Sequence, residues 1–128
     1  MSYLLDTDIV VEYLKNNESV VNKVNALNDL RTTTITLCEL YYGVYNSSQR
    51  EKHLSILLKF LSSVDLLTLD ADSSLTFGLI KTELRKKGLI IGDFDITIAS
   101  IALTNNMILL TRNIKHFEHI DELRIIEI

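Results

Sequence analysis

The sequence predicts an α/β protein: a three-layer α/β/α sandwich built on a mostly parallel sheet of about five strands. Short apolar segments rich in β-branched residues alternate along the chain with longer segments in which apolar residues recur at helical spacing. This alternation is typical of a parallel sheet covered by helices. The 128 residues contain no proline, repeat or linker-like stretch. We therefore expect residues 1–128 to form a single domain.

Each predicted element follows from a local pattern. The strands correspond to apolar, β-branched segments: Tyr3–Leu5, Arg31–Thr36, Val64–Leu69, Met107–Leu110 and Ile125–Ile126. The helices correspond to segments with apolar residues three and four apart. They are Ile9–Asn16, Ser19–Asn28, Leu37–Tyr45, His53–Leu61, a fifth helix that reaches Lys87, and Phe94–Thr104. Asp70 or Asp72 caps the fifth helix, which Gly88 ends.

Composition and charge exclude several classes of protein. Hydrophobic residues make up 47% of the chain and charged residues 23%, an ordinary globular composition. The apolar runs are too short to span a bilayer, and Asp6, Asp8 and Glu12 interrupt any signal-peptide pattern. We expect a cytoplasmic protein without membrane association. The single cysteine, Cys38, agrees with that compartment, and its apolar neighbours predict that it is buried.

The net charge of −4 argues against a protein that coats nucleic acid without regard to sequence. It does not exclude an enzyme that gathers acids in one pocket. Acids recur where predicted strands meet predicted helices. These acids are Asp6, Asp8, Glu39, Asp93 and Asp95. In parallel sheets the ligand crevice lies beyond the carboxyl ends of the strands, so acids in such positions point into it.

Helix capping is the alternative explanation for these acids. In that interpretation Asp8 caps the first helix, Thr36 and Glu39 form a capping box, and Asp93 caps the sixth helix. A helix start needs only one cap, however, and each acidic pair leaves one acid without a role. Asn113, directly after the fourth strand, can likewise start a helical turn.

Asp6, Glu39 and Asp95 are the acids that we expect to meet. Their like charges would raise one another's pKa unless a cation neutralised them. A hard divalent cation such as Mg²⁺ or Mn²⁺ prefers oxygen ligands and is commonly held by one or two carboxylates. Such an ion activates water and stabilises charge that develops on a phosphate.

Four segments of the chain carry a family resemblance. They are Leu4–Ile9, Thr36–Gly43, Ile91–Ser100 and Leu110–Phe117. In this order they resemble the sequence blocks of PIN-domain proteins, among them the VapC-type toxins of bacterial and archaeal toxin–antitoxin pairs. The resemblance spans nearly the whole chain. It implies a Mg²⁺- or Mn²⁺-dependent endoribonuclease that hydrolyses RNA phosphodiester bonds, forms a homodimer and is inhibited by a cognate VapB-type antitoxin.

The resemblance also implies roles for individual residues. Asp6 and Asp95 are expected as metal ligands, and Glu39 as a further acid that contacts the same ion directly or through water. Asn113 stands where many members have Asp and others Asn, so a fourth acid is absent and a second metal position is left open. We expect Asn113, with Thr111, to position the attacking water.

A second enzyme class competes with this assignment. The run from Asp6 to Val10 also matches the opening motif of HAD-type phosphatases, with Asp6 as nucleophile and Asp8 as acid/base. That scheme needs Leu89–Ile91 to be a strand, and it leaves the Thr36–Gly43 segment without a role. A third interpretation is an interaction module whose acids only cap helices.

Basic residues offer candidate contacts to an RNA backbone. The end of the fifth helix carries Lys81, Arg85, Lys86 and Lys87, and Arg112 lies between two expected site residues. Either group is suited to a phosphate contact, and a solvated surface is the alternative for the helix. The histidines, including His116, lack metal-ligand spacing, so solvated or packing roles are expected for them.

Overall fold

In the computed structural model, which describes all 128 residues, five strands form one sheet. The strands are β1 (Tyr3–Leu5), β2 (Leu30–Thr33), β3 (Asp65–Leu67), β4 (Ile108–Thr111) and β5 (Ile125–Glu127). The helices are α1 (Thr7–Leu14), α2 (Glu18–Asn25), α3 (Thr34–Tyr45), α4 (Arg50–Leu61), α5 (Ala71–Lys86) and α6 (Asp93–Thr104), with a short 3-10 helix at Ile114–His116. All strand pairs are parallel, in the order β3-β2-β1-β4-β5.

The central strands divide the core into two apolar layers, because successive side chains of a strand point to opposite faces. Leu4 and Leu109 belong to a cluster with residues of α5 and α6 on one face of the sheet. Leu5 and Leu110 belong to a second cluster with residues of α1, α2, α3 and α4 on the other face. Helices on both faces confirm the predicted three-layer α/β/α sandwich.

Helix α6 is the most deeply buried helix of the fold. Its residues Ile96–Ala102 are all buried, and Ala99 and Ala102 are fully inaccessible. Small side chains let a helix approach its neighbours closely. Because the helix is fixed along this length, its first turn, with Asp95, is held in a defined place.

The order of the strands opens a crevice beside β1. The chain proceeds outward from β1 to β2 and β3, and then returns to the other side of β1 with β4. Leu5 of β1 pairs with Leu110 of β4, and the N–H of Asp6 donates to the carbonyl of Leu110 at 2.9 Å. A reversal of strand order is where open α/β sheets bind ligands. Asp6 and Thr111 therefore meet at the mouth of this crevice.

Two predicted helix caps prove to be wrong. Asp6, not Asp8, occupies the N-cap of α1, and Asp8 lies in its first turn. Thr33 caps α3 by accepting from the N–H of Thr36, so the capping box at Thr36 does not exist. In both cases the last residue of the strand region, still extended, serves directly as the helix cap. The helices therefore begin earlier than their apolar patterns indicate, and residues 34–36 are helix rather than strand.

The segment before α6 also differs from one prediction. Leu89–Ile91 forms no strand, and Gly92, not Asp93, is the N-cap of α6. The HAD-type interpretation required a strand here, so the structure does not support it. Asp93 instead forms an exposed ion pair with Lys81 at 2.8 Å.

The structure also bears on membrane-spanning segments and on the burial of Cys38. None of the helices has the length and apolar character needed to cross a membrane. Cys38 is exposed, so the prediction that it is buried is wrong. The buried face of α3 is formed instead by Thr36, Leu40 and Val44, which follow one another at four-residue spacing.

Two adjacent leucines of α4 test this account of the core. Leu57 is 1% exposed, whereas Leu58 is 50% exposed. We expect Leu57→Ala to lower the free energy of unfolding by about 2–5 kcal/mol, because it removes buried methyl groups and leaves a cavity. Leu58→Ala is expected to cost about 1 kcal/mol or less. Urea denaturation followed by circular dichroism measures both, and equal losses would contradict the assigned orientation of α4.

Candidate active site

An acidic groove of about 550 Å³ opens beyond the carboxyl ends of β1 and β4. Five carboxylates line it, namely those of Asp6, Asp8, Glu12, Glu39 and Asp95. Its other lining residues are Thr7, Val11, Arg112, Asn113 and His116. The structure thus brings together all four predicted site residues, Asp6, Glu39, Asp95 and Asn113, from four separate parts of the chain.

Asp6 is the buried centre of this groove, with 6% of its surface exposed. Its Oδ1 accepts from the N–H of Thr7 at 2.9 Å, and its Oδ2 accepts from the hydroxyl of Thr111 at 2.8 Å. Burial, followed by the negative charge of Asp8, raises the pKa of Asp6 to about 7; Asp95 adds to the effect. The protein therefore holds a carboxyl group whose ionisation at neutral pH is costly.

Asp8, in the first turn of α1, adds a second carboxylate, which is partly buried. Its Oδ2 accepts from the N–H of Arg112 at 3.0 Å, whereas its Oδ1 is buried and has no hydrogen-bond partner. Burial raises the pKa of Asp8 as well. An orphaned buried oxygen is unusual, because an unsatisfied buried polar atom is destabilising. It marks a place where a proton donor or a cation fits.

Thr7 holds Glu39 in the groove, a role that the sequence analysis missed. Its hydroxyl donates to Glu39 Oε1 at 2.6 Å, and its Oγ1 lies 3.0 Å from the Oγ1 of Thr36. This contact joins the start of α1 to the second turn of α3. The sequence signal for Thr7 is its position between two acids. Thr7 is uncharged, so an argument from charged residues does not identify it.

His116 is the second site residue that was missed. Its Nδ1 lies 2.8 Å from Asp95 Oδ2, and both of its ring nitrogens lie 3.1 Å from the Nδ2 of Asn113. His116 therefore contacts two site residues, which the expected packing or solvated role does not include. Asn113 itself is oriented by its N–H, which donates to the Oγ1 of Thr111 at 3.0 Å. The only sequence signal was the three-residue interval from Asn113, since one short helical turn brings such residues together.

The groove suits a hard cation by its chemistry rather than by a preformed ligand set. No three His, Cys, Asp or Glu side chains are grouped as a metal site groups them. Thr111, Thr7 and His116 instead hold Asp6, Glu39 and Asp95 one by one. The oxygen donors around the groove are nevertheless carboxylates, the Oδ1 of neighbouring Asp8 has no partner, and burial followed by the charge of Asp8 raises the pKa of Asp6. Such an excess of negative oxygen fits Mg²⁺ or Mn²⁺.

Comparison with known families gives a match over almost the entire chain. Residues 3–123 match the family model described as "PIN domain". The chain is 40% identical over 127 residues to Ribonuclease VapC2 of Rickettsia felis, covering 96% of this chain and 95% of that protein. It is 33% identical over 126 residues to the tRNA(fMet)-specific endonuclease VapC of Shigella flexneri, covering 97% and 96%.

Solved structures give the same result for the fold. The VapBC2 structure from Rickettsia felis, bound to a promoter DNA fragment, matches with a TM-score of 0.94 and 37% identity, covering 100% of this chain and 99% of that one. The DNA-bound VapBC structure from Salmonella typhimurium matches with a TM-score of 0.92 and 30% identity, covering 99% and 98%. The similarity includes every element that positions the groove.

The pKa of Asp6 predicts how stability depends on pH. Its pKa is higher in the folded state than its ordinary value of 3.8, so the folded state binds more protons between about pH 4 and pH 7. In the absence of divalent cations, this group therefore lowers stability as the pH rises through that window. We expect Asp6→Asn to be more stable than the wild type at pH 8, with the difference largely absent below pH 4.

Urea unfolding in the presence of a chelator, at several pH values, measures this difference. Asp65→Asn is the matched control, because Asp65 is an exposed carboxylate on the edge strand β3. If Asp6→Asn and Asp65→Asn shift stability by the same amount at every pH, the assigned burial of Asp6 is wrong.

Proposed function

The chain belongs to the PIN-domain family, and from this premise we propose that it is a metal-dependent endoribonuclease, the toxin of a toxin–antitoxin pair. The observation that carries the proposal is the groove itself. Asp6, Glu39 and Asp95 come from three different elements and converge at the reversal of strand order. The relatives that share this fold over nearly their whole length are named ribonucleases, and one is named a tRNA(fMet)-specific endonuclease. An RNA phosphodiester is therefore the substrate that we propose.

Asp6, Glu39 and Asp95 are the residues that would hold a divalent cation, Mg²⁺ or Mn²⁺. When bound, the ion supplies activation of water as nucleophile and stabilisation of charge that develops on the phosphate. The charge of such an ion would favour the ionised form of Asp6, the pKa of which is raised by burial and then by the charge of Asp8. The neutral amide at Asn113, where a fourth acid is absent, favours a single cation.

The remaining polar residues hold these acids in position. Thr111 fixes Asp6 from β4, and Thr7 fixes Glu39 across the start of α1. His116 holds Asp95 and is itself in contact with Asn113. Partners of this kind limit the rotamers of a ligating side chain and commonly change metal affinity about 10–100-fold when removed. Asn113 and Thr111 are the groups placed to orient a water beside the acids.

The expected protein partner is a VapB-type antitoxin, because the matched Rickettsia felis and Salmonella typhimurium structures are VapBC complexes. An antitoxin silences such a groove by covering it or by inserting a basic side chain among its acids. Five carboxylates around one opening make a basic side chain a favourable occupant.

Two aspartates of the first turn of α6 test the metal site. Asp95 lines the groove, whereas Asp93, two residues earlier, is exposed and paired with Lys81. We expect Asp95→Asn to weaken Mn²⁺ binding at least tenfold in isothermal titration, because a neutral amide replaces a proposed ligand. Cleavage of RNA by the same variant should fall in parallel.

Asp93→Asn is the matched control and should retain both Mn²⁺ affinity and cleavage. Unchanged cleavage by a folded Asp95→Asn protein would overturn the proposed site. Loss of both properties in the two variants alike would indicate damage to α6 rather than to a ligand. Circular dichroism of each variant distinguishes damage of this kind.

Homodimer formation is proposed from the family resemblance and is supported by apolar exposure on α5. Leu75 and Leu79 lie one turn apart there and are 66% and 62% exposed. Light scattering should give a mass of twice the 14.6 kDa chain. We expect Leu79→Glu to shift that mass towards a single chain, because it buries a charge in the interface, with Leu58→Glu on α4 as control. A wild-type mass of one chain would contradict the dimer.

A further inference from the structure

We propose that the guanidinium of Arg112 binds an RNA phosphate next to the scissile bond and so positions the substrate in the acidic groove. The inference deepens the proposed ribonuclease function and rests on it. It concerns a residue that is neither a proposed metal ligand nor in contact with the three proposed ligands.

The main chain fixes Arg112 at the mouth of the groove. It directly follows Thr111, the hydroxyl of which donates to Asp6, and its own N–H donates to Asp8 Oδ2 at 3.0 Å. The side chain is exposed and lines the groove. Its guanidinium makes no hydrogen bond or ion pair in the structure. A charged group is thus anchored at its base and free at its end.

The acidic groove needs such a group to accept RNA. Five carboxylates line it, so one divalent cation leaves the opening negative, and the chain as a whole carries a net charge of −4. An RNA backbone is repelled by both charges unless a local cation compensates. Arg112 lines the same groove as these carboxylates, so its positive charge is in place to compensate them.

Most of the other basic groups considered for an RNA contact are already engaged in contacts. His116, the second basic side chain of the groove, is paired with Asp95. At the end of α5, Lys81 pairs with Asp93, Lys86 with Glu83 and Lys87 with Asp121. Arg85, the fourth basic residue there, makes no such pair, but it lines a separate pocket and not the acidic groove. Arg112 is the basic side chain of the groove that remains free for a phosphate.

Arginine is suited to this task by its shape as well as its charge. Its planar guanidinium donates two parallel hydrogen bonds to phosphate oxygens, whereas lysine offers a point charge. Contacts to phosphates fix the register of a nucleic acid without reading its bases. Arg112 would therefore set where the backbone crosses the groove.

The experiment compares Arg112→Ala, Arg112→Lys and Lys115→Ala. Lys115 is an exposed cation three residues away that does not line the groove, so it is the matched control. Binding of a fluorescent single-stranded RNA is measured by anisotropy at several KCl concentrations, in an Asp95→Asn background that prevents cleavage. Single-turnover cleavage and Mn²⁺ titration are measured with Asp95 intact.

We expect Arg112→Ala to weaken RNA binding about tenfold and to reduce the slope of log affinity against log salt by about 0.7, the value for one lost phosphate contact on a single strand. Arg112→Lys should restore the slope but only part of the affinity, because the bidentate contact is lost. Mn²⁺ affinity should stay within about twofold in both, as neither variant removes a proposed ligand.

Arg112→Ala and Lys115→Ala proteins with the same RNA affinity and salt slope would overturn the role of Arg112 while leaving the ribonuclease intact. Tighter Mn²⁺ binding by Arg112→Ala with unchanged RNA binding would overturn it as well, and would assign the guanidinium to charge balance among the acids. A wild-type protein that neither binds nor cuts any RNA tested would overturn the proposed function, and the role of Arg112 with it.

Discussion

The burial of the Asp6 carboxylate at the end of β1 is the constraint on which the rest of the site depends. A carboxylate loses hydration when it is buried and regains stability only from hydrogen bonds or from a cation. Thr7 and Thr111 provide the hydrogen bonds, and they do so from the two elements that flank the crevice. Because these bonds leave its pKa near 7, the fold retains an unbalanced negative centre that a cation can satisfy.

The sheet topology places the buried Asp6 carboxylate in a groove together with other acids. The reversal of strand order beside β1 leaves space at the carboxyl ends of β1 and β4, and α3 and α6 each bring one acid to it. Asp6, Glu39 and Asp95 are each held by a different neutral or basic partner. A site arranged in this way reduces the reorganisation that the binding of a ligand requires.

The sequence predicted the succession of elements but misplaced the helix starts. Apolar periodicity found all five strands and six helices, because periodicity reports the buried face of an element. The start of a helix depends on which residue keeps an extended backbone, and here Asp6 and Thr33 do so at the ends of their strands. Asp8 and Thr36 had equally suitable side chains. Only the three-dimensional path of the chain distinguishes between such candidates.

The sequence by itself determined the fold class, the family and the convergence of Asp6, Glu39 and Asp95, since these follow from residue types, their order and their spacing. It did not identify Glu12, which also lines the groove. Tertiary structure decided which partners hold those acids. The contacts from Thr7 to Glu39 and from His116 to Asp95 join residues far apart in the chain, and no local pattern predicts them. It also decided which basic side chains remain free, because Lys81, Lys86 and Lys87 find acidic partners on folding, whereas Arg85 and Arg112 do not. The sequence states which residues are charged, but which of them form ion pairs depends on how the folded elements pack together.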